Sequence, residues 1–340
     1  MFKVGLIGYG FMGKMHSQCY QASSQAKVVA LTDVDAPKRE EARAKLGCEV
    51  YESMDKMLVS AEIDVVDVCT PTFLHEECVL AAARAGKNIM CEKPMSLTVE
   101  SCDRMIAAVE KAGVTMMIGQ TVRFVPEYRI IRDAVVSGKY GKALWISASR
   151  VSPPADWTWR NWLFDPPKSG GGILDLHIHD IDYINWLVGV PNRVLARGVA
   201  GKQGGVDTAL TLMEHPVGAK SYAQGSIAMS TSCPFNMSIL VNCERASFRY
   251  DMALTPSLMI YPSDGDPFSP ELPKEEVGVS TENLGNVKSL GAYYTEIMYF
   301  LGCLKAGKEP TTVTLAEARD AVRVCLAAGE SVKTGRVVEL

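Results

Sequence analysis

The sequence predicts an α/β protein in which a doubly wound parallel sheet comes first and a second α/β domain with a mostly antiparallel sheet follows. Three features of the 340 residues predict this fold. A glycine motif follows the first apolar run, strand and helix patterns alternate as far as about Gln120, and closely spaced strands dominate afterwards. We therefore expect two domains, residues 1–120 and residues 121–340, with the last helices able to pack back on the first domain.

The glycine motif is enclosed by the first strand and the first helix. The apolar run Val4–Ile7 is typical of a buried parallel strand, and the amphipathic segment Met12–Gln21 is typical of a helix. The motif between them reads G-x-G-x-x-G, and Asp33 lies twenty positions past its last glycine, after the apolar run Val28–Leu31. This context is typical of a dinucleotide site in a Rossmann domain, and a plain strand–turn–helix is the alternative.

Each residue of the motif has its own task in this prediction. Gly8 permits the tight turn, Gly10 lets a pyrophosphate approach the backbone, and Gly13 lets the helix pack close to the strand. Phe11 and Met12 open the helix, whose free N–H groups and positive end hold phosphates.

The carboxyl ends of the parallel strands should line one crevice, because ligands of such sheets bind outside those ends. The strand candidates are Lys3–Ile7, Lys27–Thr32, Val65–Cys69, Asn88–Cys91 and Thr115–Ile118. The helix candidates are Met12–Gln21, Ala36–Leu46, Leu74–Ala85 and Val99–Ala112. The residues at the strand ends, beyond the motif itself, are Asp33, Thr70, Pro71, Glu92, Lys93 and Gln120.

Asp33 is the residue that indicates which dinucleotide binds. Its carboxylate would accept hydrogen bonds from the ribose hydroxyls and repel a 2′-phosphate, which favours NAD. The nearby Lys38 and Arg39 leave NADP open, and a turn or cap residue is the alternative role of Asp33.

Lys93 is the strand-end residue with a chemical role. It precedes Pro94, which disfavours helical backbone at Lys93. A lysine held there beside a nicotinamide could polarise a substrate hydroxyl or carbonyl. A solvated surface charge is the alternative.

Beyond Gln120 the pattern changes. Strands dominate from Val194 to Tyr261, and their short connections indicate an antiparallel sheet. The segment Ser263–Gly285 is rich in Pro, Asp and Glu and is expected to be a long exposed loop. The helix candidates are Tyr128–Ser137, Ile173–Val188, Tyr293–Lys305 and Ala316–Ser331. The clearest strands are Ala143–Val151, Thr208–Met213, Lys220–Ser230, Ser238–Asn242 and Ala246–Tyr250.

The helix Ile173–Val188 carries a second candidate site. Asp175 and His179 are four residues apart, so a continuous helix makes them neighbours on one face. A carboxylate beside an imidazole holds the ring and favours its protonated form, which suits a base working near neutral pH. His177 points elsewhere and is interpreted as structural, which also disfavours a metal site.

An aromatic loop precedes this helix. It contains Trp157, Trp159 and Trp162 with Arg160 among them. Two interpretations stay open, an apolar wall for a sugar ring and a contact between subunits.

The composition excludes several classes of protein. A net charge of −4 argues against nucleic acid as a partner, and no apolar run reaches the ~18 residues that a membrane span needs. Ten scattered cysteines without a C-x-x-C pair fit reduced thiols in a cytoplasmic protein and disfavour a zinc site.

Over nearly its whole length the chain resembles the glucose-fructose oxidoreductase, inositol dehydrogenase and MocA oxidoreductases. The residues that carry the resemblance are the glycine motif, Cys69-Thr70-Pro71 with His75, Cys91-Glu92-Lys93-Pro94, Arg123-Phe124-Val125-Pro126, and Gly170-Gly171-Gly172 leading to Asp175 and His179.

The resemblance implies a Rossmann domain and a C-terminal domain whose open sheet often forms the subunit interface, hence a homodimer or homotetramer. It implies oxidation of a secondary alcohol of a polyol, inositol or sugar, or the reverse reduction. In that chemistry Lys93 orients the substrate hydroxyl, Asp175 assists and His179 is the general base. It also adds His75 and Gln120 to the cofactor site, and Arg123, Trp159, Arg160 and Trp162 to the substrate site.

Two other functions stay open within the resemblance. One is a glycosidase-like enzyme that retains NAD and oxidises its sugar only transiently. The other is a regulator that senses dinucleotide without catalysis, which loss of Lys93 or His179 would indicate; both residues are present.

Overall fold

The structure is a computed structural model that describes residues 1–156, 158–201, 204–273 and 290–340. The chain forms two compact units. The first unit combines Met1–Phe124 with Glu275–Arg319, and the second combines Val125–Lys274 with Asp320–Leu340. Two parts of the sequence prediction, Trp157 and residues 274–285 of the exposed loop, lie outside the described residues.

The first unit is built on a six-stranded sheet. Its strands are β1 (Phe2–Ile7), β2 (Ala26–Thr32), β3 (Glu49–Tyr51), β4 (Val65–Val68), β5 (Asn88–Glu92) and β6 (Met116–Gly119). Their order in the sheet is β3-β2-β1-β4-β5-β6, and every neighbouring pair is parallel. The order reverses between β1 and β4, which is where such sheets bind ligands. The predicted doubly wound sheet is confirmed.

Helices connect these strands. They are α1 (Phe11–Gln21), α2 (Ala36–Leu46), α3 (Met54–Ser60), α4 (His75–Arg84) and α5 (Val99–Ala112). The sequence did not predict β3 or α3, because three residues and seven residues are too short for their apolar period to show.

The second unit is built on an eight-stranded sheet of mixed direction. Its strands are β7 (Ala143–Val151), β8 (Arg193–Ala200), β9 (Val206–Glu214), β10 (Lys220–Ser226), β11 (Asn236–Cys243), β12 (Ala246–Asp251), β13 (Leu258–Pro262) and β14 (Val338–Glu339). The order is β13-β12-β11-β7-β10-β9-β8-β14, and only β7 and β10 pair in parallel among the described neighbours. The predicted second, mostly antiparallel sheet is therefore confirmed.

One face of this sheet carries large apolar side chains that are exposed. Trp145 on β7 pairs with Lys220 on β10, and Tyr222 on β10 pairs with Leu212 on β9. Paired residues point to the same face of the sheet, and successive residues of a strand point to opposite faces. Leu212 and Leu210 are about half exposed, while the alternate residues of β9 are buried. The rings of Trp145 and Tyr222 lie 6.0 Å apart on the exposed face.

The remaining helices are α6 (Pro126–Val136), α7 (Pro166–Ser169), α8 (Gly172–Asp175), α9 (Ile178–Val188), α10 (Gly291–Ala306) and α11 (Leu315–Thr334). Helix α10 belongs to the first unit and packs against α1. Helix α11 begins in the first unit and continues in the second. Within the described ranges, no helix combines the length and the apolar character required to cross a bilayer.

Candidate functional site

The loop after β1 and the first turn of α1 are packed so closely that one residue of each must be glycine. Gly8 has φ +92°, and a Cβ there would lie 2.7 Å from the Cys69 carbonyl oxygen at the end of β4. A Cβ on Gly13 would lie 2.0 Å from the Gly8 carbonyl oxygen. These two glycines let the helix sit directly against the ends of β1 and β4.

Gly10 is different, because the fold itself does not require a glycine there. Its φ is −75°, and a Cβ would meet nothing within 4 Å. The open space lies at the N-terminus of α1, which begins at Phe11 with Met12 next to it. The space that a side chain at residue 10 would occupy lies at the positive end of an eleven-residue helix. Such a space fits the pyrophosphate of a dinucleotide.

Asp33 is held against this loop. Its Oδ2 accepts a hydrogen bond from the Tyr9 backbone N–H at 2.7 Å, and its Oδ1 accepts one from the Asp35 N–H at 2.8 Å. Each carboxylate oxygen has a second lone pair, so the group can still accept from ribose hydroxyls. Arg39 donates to the Asp33 carbonyl oxygen at 2.7 Å, which fixes a cation close to the same turn.

His75 lies inside the protein, in contrast to the cofactor contact expected for it. Thr70 and Pro71, just before it, are half-buried, whereas His75 is 1% exposed. Its Nδ1 faces the Pro94 carbonyl oxygen at 2.9 Å, and its Nε2 faces the Thr70 carbonyl oxygen at 3.0 Å. Burial lowers its pKa. A neutral ring carries one N–H, so it donates to only one of these two carbonyl oxygens, although it packs between the loops after β4 and β5. The expected contact of His75 with the cofactor stays a prediction.

Glu92 also points inward, and its expected contact with the cofactor stays a prediction. Its Oε1 lies 3.0 Å from Nε2 of His16 on α1, and its Oε2 accepts from the Lys93 backbone N–H at 3.1 Å. A Cβ on Gly119 of β6 would come within 3.4 Å of the same Oε1, so the neighbouring strand leaves room for this carboxylate. Lys93 itself is half-buried, and the Lys93–Pro94 peptide is cis.

His16 is the centre of a set of ionisable groups that sequence reasoning missed. We call this set the buried charge cluster. Its members, all buried in the first unit, are His16, Tyr20, Asp67, Cys69, Glu92 and Glu296. Nδ1 of His16 lies 2.8 Å from Oδ2 of Asp67, which also accepts from the Tyr20 hydroxyl at 2.9 Å. A signal was present, since Asp67 is an acidic residue within the apolar run of β4.

The pKa values in the buried charge cluster diverge. Burial is the largest single influence and lowers the pKa of His16, but the contributions of Asp67 and Cys69 together outweigh it and raise the pKa well above its usual range. Burial and then the charge of Glu92 raise the pKa of Glu296. The Thr121 hydroxyl donates to Oε2 of Glu296 at 2.7 Å.

The buried charge cluster also contains the donor atoms of a conceivable metal site. One atom each from His16, Asp67 and Cys69 lies within 4.8 Å of the others. Nδ1 of His16 is already bonded to Asp67, and burial raises the pKa of Cys69 far above its usual range, so the sulfur remains a thiol. Because a metal needs the thiolate and an unprotonated ring nitrogen, this chemistry favours an ion-pair cluster.

Gln120 and Arg123 follow β6, and both are buried. Nη1 of Arg123 donates to the Thr312 carbonyl oxygen at 2.8 Å and to Oε2 of Glu317 at 2.9 Å. The guanidinium therefore ties residues 312–317 to the end of the parallel sheet. The substrate contact expected for Arg123 stays a prediction.

In the second unit the predicted helix Ile173–Val188 is broken. Helix α8 ends at Asp175 and α9 begins at Ile178, with the His179 N–H reaching the Leu176 carbonyl at 3.4 Å. Asp175 and His179, both half-buried, therefore flank a break and do not share one continuous helix. The apolar period did not reveal the break, because Leu174, Ile178 and Ile181 keep helical spacing across it.

The expected structural role of His177 agrees with its surroundings. Its Nε2 lies 2.9 Å from the Thr211 hydroxyl, and burial lowers its pKa to about 4. A Cβ on Gly225 would lie 2.6 Å from its Nδ1, so β10 makes space for the ring. Next to His179, Asp180 forms a buried, two-contact ion pair with Arg150, at 3.0 and 3.2 Å.

The aromatic loop forms a short 3₁₀ segment, Trp159–Phe164. Arg160 and Asn161 have φ of 50° and 53°, an unfavourable conformation for residues other than glycine. The Arg160 guanidinium lies over the Trp159 ring, 4.7 Å from its centroid, and both Trp159 and Trp162 are half-buried. This arrangement offers an aromatic face beside a cation.

Comparison with known proteins identifies both parts of the chain. The family described as "Oxidoreductase family, NAD-binding Rossmann fold" matches residues 2–120, and the "GFO/IDH/MocA C-terminal domain" matches residues 128–249. The first unit is thus an NAD-binding Rossmann fold.

Individual relatives agree with this match. Myo-inositol 2-dehydrogenase of Thermotoga maritima is 28% identical over 359 residues, covering 99% of this chain and 98% of that protein. Inositol 2-dehydrogenase of Rhizobium meliloti is 31% identical over 257 residues, 74% of this chain and 72% of that protein. A levoglucosan dehydrogenase solved with NADH and levoglucosan shares the fold, with TM-score 0.87, 21% identity and 99% coverage of both chains. This chain belongs to the glucose-fructose oxidoreductase, inositol dehydrogenase and MocA family of NAD-binding oxidoreductases.

Proposed function

We propose that the protein is an NAD-dependent dehydrogenase that oxidises a secondary alcohol of a polyol, inositol or sugar-like substrate, or catalyses the reverse reduction. The observation that carries this proposal is the loop at the start of α1. It leaves space beside Gly10 and holds the Asp33 carboxylate on the Tyr9 N–H. The names of the relatives, two of them inositol dehydrogenases, support the substrate class.

NAD, when bound, supplies the acceptor for a hydride leaving the substrate carbon. Gly8, Gly10, Phe11, Met12 and Gly13 would hold its pyrophosphate through the backbone, and Asp33 its adenosine ribose. The half-buried Thr70 and Pro71 line the next strand end, followed by Gln120 at the end of β6. Arg39 places a cation beside Asp33. NADP is therefore a second cofactor to be tested.

We assign the proton chemistry to Lys93, Asp175 and His179. The Lys93 ammonium would orient the substrate hydroxyl and stabilise negative charge on its oxygen as the proton leaves. His179 would accept that proton as general base, with Asp175 assisting it. Trp159, Arg160 and Trp162 would form one wall for the ring of the substrate.

Residues 1–120 would therefore bind dinucleotide, and residues 121–340 would bind substrate and a second copy of the chain. The exposed apolar face of the second sheet, with Trp145, Leu210, Leu212 and Leu240, suits a homodimer or a homotetramer. We also propose a cytoplasmic location, because all ten cysteines are free thiols, eight of them buried.

Turnover should depend on His179, whereas binding of the cofactor should not. Purified protein is mixed with NAD, then NADP, and a panel of inositols, sugars and sugar acids while nicotinamide absorbance is followed. His179→Ala should lower kcat by about a hundredfold to ten-thousandfold, because it removes a general base. Its NAD dissociation constant should stay within error of the wild type. Lys93→Ala should also abolish NADH formation.

Two results would contradict this assignment. Unchanged turnover in His179→Ala removes the residue from the mechanism. Absence of NADH formation with every substrate, together with NAD found tightly bound after purification, favours a glycosidase-like or sensing function.

Asp33 should select NAD over NADP. Asp33→Ala should weaken NAD binding by about tenfold, the loss expected for hydrogen bonds to a charged group. NADP should be affected less, because repulsion of its 2′-phosphate disappears. Asp33→Asn is the closest variant in shape, since its amide oxygen keeps an acceptor for the Tyr9 N–H, while the charge and the acceptor for the Asp35 N–H are lost. Equal weakening of both cofactors in both variants, measured by calorimetry, would refute selection by Asp33.

The exposed sheet face should hold copies of the chain together. Leu210→Glu with Leu212→Glu should shift the mass in sedimentation towards the monomer, because charges would be buried at an apolar contact. Val217→Glu is the control, an equally exposed aliphatic residue in the turn after β9. A wild-type monomer, or an oligomer indifferent to the double change, would exclude this interface.

A further inference from the structure

The buried charge cluster connects two parts of the first unit that have different proposed tasks. His16 stands on α1, three residues after Gly13 and therefore within one turn of the dinucleotide loop. Glu92 is the last residue of β5, directly before the proposed catalytic Lys93. The side chains of His16 and Glu92 are both at least 95% buried. Neither of them has a role in the proposed chemistry.

The connection runs through the two oxygens of one carboxylate. Oε1 of Glu92 faces Nε2 of His16 at 3.0 Å, while Oε2 accepts from the Lys93 backbone N–H at 3.1 Å. On the other side of the ring, Nδ1 faces Asp67 at 2.8 Å. Because both oxygens of Glu92 are engaged, the carboxylate cannot rotate without losing one of the two contacts.

From this geometry we infer that His16 is a positioning residue for Lys93. Clamped between Asp67 and Glu92, its ring fixes the Glu92 carboxylate, and that carboxylate fixes the backbone from which the Lys93 side chain extends. The inference rests on the proposed catalytic role of Lys93. It adds a link between the helix that holds the cofactor and the lysine that orients the substrate.

The charge of the ring follows from its neighbours. Ionised carboxylates only accept, so a ring that bonds to the ionised forms of Asp67 and Glu92 donates from both nitrogens and carries a positive charge, in line with its raised pKa. The other groups packed against it are Tyr20 on the same helix, Cys69 after β4, and Tyr293 and Glu296 from α10. Burial raises the pKa of Tyr20, Cys69 and Glu296, which disfavours a negative charge on each of them.

The first test reads the ring directly and needs no substrate. Nitrogen NMR of ¹⁵N-histidine-labelled protein should show one of the five histidines with both ring nitrogens protonated at pH 8. That signal should be missing in His16→Gln. A neutral His16 ring at pH 8, or stoichiometric zinc in the purified protein, would overturn the inference.

The second test reads the position of Lys93. In His16→Gln, hydrogen exchange at the Lys93 amide should become faster, and kcat should fall by about tenfold to a hundredfold, as expected for a misplaced catalytic group. The NAD dissociation constant should change much less. Adding Glu92→Gln to His16→Gln removes one charge of each sign, so the double variant should recover part of the lost kcat.

Tyr20→Phe is the matched control. It removes a hydrogen bond to the same oxygen of Asp67 but leaves the contact between His16 and Glu92. Its exchange at Lys93 and its kcat should stay near the wild type. Equal losses in Tyr20→Phe and His16→Gln would show a purely structural cluster and overturn the inference. If no substrate yields NADH, the proposed function fails, while the NMR and exchange results still decide the position of Lys93.

Discussion

The first unit depends on the close approach of the glycine loop to the ends of β1 and β4. A Cβ on Gly8 or on Gly13 would lie within 3 Å of a backbone carbonyl oxygen, so the helix reaches this position only without side chains there. With the helix seated, its N-terminus points at the edge where the sheet order reverses. The position of Asp33 follows from that packing, and so does the site that we propose for an anionic pyrophosphate.

Seating α1 in this way also brings His16 down onto the sheet. The His16 imidazole contacts the carboxylate of Asp67, which lies inside a parallel strand. Burying such charged groups is costly in free energy unless each charge has a partner. Here Asp67 and Glu92 provide the partners, and Glu92 continues the contact to the Lys93 backbone. The N-terminus of α1 therefore lies at the proposed cofactor site, and the buried face of the same helix contacts the strand that leads to the proposed catalytic lysine.

The sequence was sufficient for those features that depend on periodicity and on glycine. Alternating apolar runs and amphipathic segments gave the parallel sheet, and the motif gave the loop. Side-chain direction was harder, because strand ends place some residues outward and others inward: Glu92, His75 and Arg123 all turned inward to interior partners. The break after Asp175 was invisible for a related reason, since the apolar stripe continues through it.

The central claim, that the loop beside Gly10 holds the dinucleotide, can be tested by calorimetric titration of NAD into Gly10→Val. The Cβ of a valine at this position meets no atom within 4 Å, and the side chain enters the space assigned to the pyrophosphate. Gly302→Val, at an equally open glycine of α10, is the control. We predict an unchanged unfolding temperature and loss of NAD binding in Gly10→Val alone. Wild-type affinity in that variant would contradict the account.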